Sequence, residues 1–311
     1  MRNQTRIPNN RIIAWVLLIT LSCIWGSSYI LMKKALCFFK PQEIAYLRIC
    51  SAAIVLLPYS LPQLKKLTFR HYKLLALVGV VGTLLPLFCF ATAQLHINSG
   101  VHGVLNSLTP VFVLMVGIIF FKKRLFKNEI LGVSLGILGT VLLVIIESRF
   151  FAGSFNYYIL LSLLGSCLYG NTTNLIKYYL NDIKSTTIVS VSLLLIAIIS
   201  GIYLATHPNI FIKMDTSIES YQALAYVLFA GIVNLGIANI ILTELVKITS
   251  PVFTSTEALL APIVSLSWGL VDGEQLLWEH YVGATIILLG VYFINKPKKE
   301  IPKQPVFNAE V

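Results

Sequence analysis

Charge is what this sequence has least of. Only 12% of its 311 residues are Asp, Glu, Lys or Arg, whereas 57% are hydrophobic, and the mean hydropathy is +0.81. A water-soluble domain carries roughly 25% charged residues, so the composition excludes an ordinary soluble fold. Cysteine is sparse as well. The five present (Cys23, Cys37, Cys50, Cys89 and Cys167) are scattered through apolar stretches with no Cys-x-x-Cys pair, which argues against a metal cluster or a disulfide framework and for small buried side chains. No Walker A sequence is present, so ATP is not the direct energy source. The histidines (His71, His96, His102, His207 and His280) fall mostly near the ends of apolar stretches. No nucleophile with a base, no His-x-x-x-His pair and no twin carboxylates accompany them, so neither an enzyme nor a cofactor or metal is expected.

What the chain does have is apolar runs of membrane-crossing length. A bilayer core asks for about 20 apolar residues per helical span. Stretches free of Lys, Arg, Asp and Glu are Ile12–Met32, Ile49–Leu64, Leu74–Leu95, Gly103–Phe121, Ile130–Ile146, Phe150–Ile176, Ser185–Ile212, Ser220–Thr243 and Tyr281–Asn295. Ile248–Val271, interrupted only by Glu257, makes ten, and the second extends back to Gln42 past Arg48 and Glu43. The first run is too long for a cleaved signal peptide and is read as an uncleaved span.

The net charge of +11 is distributed, not clustered for nucleic acid. Counted by loop, eighteen Lys and Arg fall on the side of the N-terminus, including Arg2, Arg6, Arg11, Lys65, Lys66, Lys122, Lys123 and Lys298. Five fall on the other side: Lys33, Lys34, Lys40, Arg149 and Lys213. That bias sets both termini in the cytoplasm, the basic charge meeting lipid headgroups. The longest external loop, from His207, has room for a short interfacial helix or coil, and the tail after Asn295 is charged and Pro-containing, so it is expected to be disordered.

An internal repeat organises the spans. "CIWGSSYILMK" from Cys23 matches "CLYGNTTNLIK" from Cys167, 144 residues on, pairing Lys33 with Lys177. Later in each half Pro110 matches Pro262, then Gly132 matches Gly283 and Gly139 matches Gly290. The expected division is a cytoplasmic segment 1–11, a five-helix repeat 12–146, a second 147–295 and a tail 296–311. Five spans are an odd number, so the second copy enters the membrane from the opposite face. Inverted repeats of this kind build alternating-access transporters with a midplane site where the halves meet.

These residues resemble the EamA-type members of the drug/metabolite transporter superfamily: "WGSSY" from Trp25, "PQEIAYLR" ending at Arg48, the Pro110 and Pro262 helices, Gly273–Glu274 and the Gly-spaced last span of each half. The resemblance covers about residues 12 to 295 and implies an all-α, ten-helix transporter of small organic metabolites, often an exporter. The family pattern often repeats Gly-Glu after the fourth span, where this chain has Lys122 and Lys123; the motif is read as topological or structural. If the host is bacterial, the topology implies the inner membrane.

Intramembrane polar residues nominate the site. Glu257 lies roughly 10 Å into its span at 1.5 Å per residue, and an ionisable group there faces a cavity or a partner. It serves helix packing or binds a substrate ammonium or a proton; the resemblance favours binding, since related sequences often place a Glu five positions before this proline. Helical spacing lines Thr254, Glu257, Ala261, Ser265 and Trp268 along one stripe. Asn106, four residues before Pro110, gives the twin turn a different polarity, or packs by hydrogen bonding. Ser22, Trp25 and Tyr29 share a face, as do Tyr169 and Thr173; Asn239 and Thr243 sit one turn apart. Arg48 either captures a carboxylate, snorkels or pairs with Glu43. Lys33 and Lys177 are interfacial or gating. A carboxylate opposite amide and aromatic walls favours amino acids, amines or similar amphiphilic solutes. A nucleotide-sugar or other metabolite exchanger, and a membrane sensor or scaffold, are the alternatives.

Overall fold

Apolar side chains take the chain into hydrocarbon, where no water bonds the backbone, and helix satisfies every N–H and C=O within the segment. The computed structural model describes residues 9–109, 111–112, 115–116, 126–150, 156–180, 182–212, 214, 218–248, 257–274 and 276–296. Among these residues there is helix in each of the ten apolar stretches and no strand. In chain order they are α1 (Asn9–Leu36), α2 (Pro41–Leu64), α3 (Phe69–Gln94), α4 (beginning with Ser99–Asn106) and α5 (Lys127–Phe150) in the first half. The second half holds α6 (Tyr158–Tyr179), α7 (Ser185–Thr206), α8 (residues 218–248), α9 (Glu257–Val271) and α10 (Trp278–Asn295). Five stretches, Ile12–Leu36, Pro41–Leu64, Phe69–Gln94, Ser185–Thr206 and Ile218–Leu245, are long and apolar enough to cross a membrane. Their outer faces carry exposed Ile54, Ile199, Ile202 and Phe229, the surface a helix bundle turns toward lipid.

The helices do not stop where the charge-free windows stop. α1 continues through Lys33 and Lys34, because a charged side chain at a helix end can reach polar surroundings while its backbone stays helical, and the α5 backbone is helical through Glu147 and Arg149. Phe150 closes α5, so it does not open the sixth helix, which starts at Tyr158. α7 ends at Thr206, not Ile212: Pro208 cannot continue it, and Asn209–Ile212 forms a separate helical turn. The tail beyond Lys296 lies outside the described residues.

Packing follows the repeat. α5 lies against α10 and α2 against α7, while α1 packs on α8 and α9, and α6 on α3 and α4. Exchanging the halves maps this set of neighbours onto itself. α5 and α10 run antiparallel with glycine at the seam. A Cβ on Gly139 would lie 2.9 Å from the Gly283 carbonyl oxygen, and one on Gly290 2.6 Å from that of Gly132. Gly132 corresponds to Gly283 and Gly139 to Gly290, so one contact is made twice, crosswise, through backbones that meet because no Cβ intervenes. The third helix of each half also departs from α geometry in the same way: α3 is π-helical over Val80–Leu84 and α8 over Gly231–Ala238. Such turns widen the helix and free carbonyls for other partners.

Gly290→Val is expected to lower the midpoint of thermal unfolding in detergent, at an overpacking cost of about 1–3 kcal/mol. Gly201→Val, where the added Cβ meets nothing within 4 Å, is expected to leave the midpoint in place. Tryptophan fluorescence against temperature checks both; equal shifts would mean that helix propensity, not the seam, sets the effect.

Candidate functional site

Six helices of the two halves converge on one polar cluster. α1 presents Trp25, Tyr29 and Lys33 at successive turns of one face. Tyr29 is 7% exposed, and its electrostatic neighbours include the side chain of Asn106 on α4. Asn106 closes the α-helical run of α4, before a tighter turn at Ser107 and Leu108. Its Oδ1 accepts from Ser166 Oγ of α6 at 2.9 Å and from Thr109 Oγ1 at 3.4 Å. On α6, Tyr169 stands edge-on to Trp25 with ring centroids 6.1 Å apart, and its hydroxyl donates to Asn239 Oδ1 of α8 at 3.5 Å. Asn239 follows the π-helical stretch of α8, and its Nδ2 donates to the carbonyls of Asn234 and Leu235 at 3.2 Å each. The amide that faces the cluster is thus fixed by the backbone irregularity beside it.

Glu257, at the first described turn of α9, lies within electrostatic reach of both Tyr29 and Tyr169. It is enclosed by the bundle, yet it keeps accessible surface, as do Trp25, Asn106, Tyr169 and Asn239. Buried position with residual access is what side chains around an internal cleft have. Arg48 of α2 is also within electrostatic reach of Tyr29; it is 5% exposed, and its Nη2 is 3.4 Å from Ser28 Oγ. It neither snorkels nor pairs with Glu43, whose carboxylate accepts the Lys40 N–H at 2.8 Å at the start of α2 itself.

The stripe expected on α9 divides. Ser265 is fully buried where α9 meets Gly103 of α4, and Pro262 is buried with its carbonyl accepting from Ser265 Oγ at 3.0 Å. Trp268 is 42% exposed and donates from Nε1 to Ser27 Oγ at 2.8 Å, away from the Tyr29–Asn106 cluster. Pro110 and Thr254 lie outside the described residues, and Lys177 falls in the last turn of α6.

One turn along α1 from Tyr29, ion pairs tie α1 to the residues that follow α9. Lys33 Nζ lies 2.8 Å from Asp272 and 2.7 Å from Glu274, and Lys34 Nζ 2.7 Å from Asp272. Local sequence builds this. Gly273, at φ +76°, ends α9 in the left-handed conformation, and the Gly273 and Glu274 N–H groups bond the carbonyls of Leu270 and Gly269 at 3.1 and 2.9 Å. The turn swings Glu274 onto the start of α4, where it accepts from Ser99 N–H at 3.0 Å, Ser99 Oγ at 2.6 Å and Gly100 N–H at 3.2 Å. Three donors and a lysine satisfy one buried carboxylate.

The fold now has two halves with matching packing partners and a shared polar cluster. The sequence profile of the EamA-like transporter family matches residues 12–145 and again 156–296. This chain belongs to the EamA-like transporter family. It is an integral membrane protein of several spans and a membrane transporter. A protein named "Uncharacterized transporter" from Archaeoglobus fulgidus is 22% identical over 291 residues, 91% of this chain and 99% of its own. The "Uncharacterized inner membrane transporter YedA" of Escherichia coli (strain K12) is 24% identical over 300 residues, 93% of this chain and 92% of its own. A solved crystal structure shares the fold with a TM-score of 0.62 at 15% identity, covering 91% of this chain and 97% of that one.

Two parts of this EamA-like transporter are not evident from sequence. His102, on α4, is fully buried; its Nδ1 lies 2.7 Å from Gln94 Oε1 and its ring 5.1 Å from that of Tyr29. The signal was there in "SGVHGVLN", a histidine flanked by glycines, but its place just ahead of the apolar run that begins at Gly103 disguised it. Glu274 as the cap of a helix 174 residues earlier had no sequence signal beyond the Gly-Glu pair.

Hydrogen bonds from Lys33 and Lys34 hold Asp272 below its ordinary pKa. Burial pushes Glu274 up, but Lys33, Ser99 and the Gly100 N–H outweigh it, so Glu274 is also lowered. A carboxylate depressed in the folded state stabilises it above the ordinary value of about 4, and that contribution is lost as pH falls through the lowered value. In detergent, labelling of Tyr29→Cys by a thiol reagent, in a background without other cysteines, is therefore expected to stay slow from neutral pH down to about 5. Adding Lys33→Met is expected to speed labelling several-fold at neutral pH. An unchanged rate would mean that the ion pairs do not control access.

Proposed function

We propose that this EamA-like transporter moves small organic solutes, amino acids, amines or similar amphiphilic molecules, outward by alternating access. In this reading ten spans form two inverted repeats, residues 12–146 and 147–295, with both termini in the cytoplasm; the Lys33 end is external and this conformation is closed to the outside. The loop charge bias supports that orientation. For a bacterial host the membrane is the inner one, in keeping with the name of the Escherichia coli relative YedA.

The observation that carries the reading is the convergence of Tyr29 and Asn106 from one half with Tyr169, Asn239 and Glu257 from the other. Such a site changes access when the halves rock about it. Glu257 supplies a negative charge for an ammonium group, the Tyr29 and Tyr169 hydroxyls and the Asn106 and Asn239 amides supply neutral polar contacts, and the Trp25–Tyr169 pair supplies an aromatic wall. A single carboxylate holds either an ammonium or a proton. Competition between the two couples outward movement of the solute to inward movement of protons. Pro262 keeps α9 bent or loosened beside Glu257, and Lys33 latches the external end; Pro110 and Lys177 are their counterparts in the repeat.

Exchange of a mixed amino-acid and amine pool across proteoliposomes, read by mass spectrometry with and without a pH gradient, tests this. Wild-type flux is expected to rise with the gradient, and Glu257→Gln to lose about tenfold or more of the gradient-dependent part. Equal flux in the two proteins at every pH would remove Glu257 from the mechanism.

A further inference from the structure

Among the described residues Arg48 is the one buried Lys or Arg, and its surroundings give it little reason to be there. An arginine inside a membrane protein normally reaches an interface, pairs with an acid or faces a polar passage. At 5% exposure it does not reach an interface. It makes no ion pair among the described residues. Glu43, one helical turn and a half earlier, holds the Lys40 N–H instead. Its Nη2 has a single long contact, 3.4 Å to Ser28 Oγ, and its Nε is buried with no hydrogen-bond partner. A guanidinium presents five donors in a planar fork, so most of this one's capacity is unused.

The position is built, not incidental. Gly231, in the π-helical stretch of α8, lets the α2 backbone sit directly against it: a Cβ there would lie 2.5 Å from the Arg48 carbonyl oxygen and 2.8 Å from its Cα. Arg48 also lies within electrostatic reach of Tyr29, and so does Glu257. One tyrosine is thus within electrostatic reach of both a buried cation on α2 and a carboxylate on α9.

We propose that Arg48 is the anion subsite of the solute site, so that the transported molecule carries both a carboxylate, held by the Arg48 fork, and an ammonium group, held by Glu257. The proposal rests on the transport reading above and narrows it from amphiphilic solutes to zwitterions. A carboxylate matches the guanidinium bidentately and takes up donors that the protein leaves unmet. A simple amine would satisfy Glu257 and leave Arg48 as it is; a zwitterion neutralises both. Charge also makes selection steep, because a solute lacking one end leaves a buried charge without a partner.

The test compares each common amino acid with its decarboxylated amine in proteoliposome exchange, for wild type, Arg48→Gln and Arg48→Lys. Wild type is expected to favour at least one amino acid over its amine, and Arg48→Gln to reduce that ratio about tenfold or more. Arg48→Lys keeps the charge but loses the fork, and is expected to reduce the ratio less; it decides the matter if Arg48→Gln does not fold. A ratio unchanged in a folded Arg48 variant overturns the proposal and makes the arginine a packing residue. Wild-type protein that passes amines but no amino acid also overturns it and leaves the transport reading standing. Protein that passes no solute of the pool under any gradient overturns both.

Discussion

Everything in this molecule answers to the absence of water around its backbone. A helix meets that constraint by itself, so the apolar stretches are helical and the bundle needs no strand to complete it among the described residues. The constraint bites where helix geometry fails, and those are the places where polar side chains gather. The π-helical stretch of α8 is answered by the Asn239 amide. The break in α4 is answered by Thr109, whose hydroxyl donates to the Asn106 carbonyl at 2.7 Å. The polar groups recruited to repair the backbone therefore belong to the same polar cluster.

Charge is governed by the same rule at greater cost. An ionisable side chain at the centre of a span costs roughly 2.5–3.5 kcal/mol on insertion scales, so Glu257 and Arg48 are features that ordinary packing would discard. They come from different halves and lie within electrostatic reach of the same tyrosine. The two-fold arrangement of helices places them, but the residues themselves break the symmetry: the first-half counterpart of the Glu257 turn carries Asn106. Symmetric scaffolding with asymmetric lining suits a site that distinguishes one end of a solute from the other.

Much of the architecture was legible in the sequence because it depends on local composition and on repetition. Hydropathy located the ten helical stretches, and the glycines matched between halves, Gly132 with Gly283 and Gly139 with Gly290, are those that meet at the α5–α10 seam. Helical spacing put Trp25 and Tyr29 on one face, and the structure adds Tyr169, Asn106, Asn239 and Glu257 around them. What spacing along one helix cannot supply is the distance to another. Trp268 shares a stripe with Glu257 by count but turns to Ser27 at the rim. Arg48 had a nearby acid in sequence, and that acid is spent on its own helix start. His102 was hidden because a run's end in sequence is not the bundle's edge in space, where it has no exposure at all.

Glu274 ends one helix and begins another. Its N–H completes the cap of α9, and its carboxylate completes the cap of α4. The two helix termini are therefore joined by a rigid coupling only one residue long, and a displacement of α9 is delivered to α4 as a push on its first turn. If the halves separate at this end, the coupling has to break at the carboxylate, since the α9 cap is held by its own backbone; the amides of Ser99 and Gly100 are then left for water to fill.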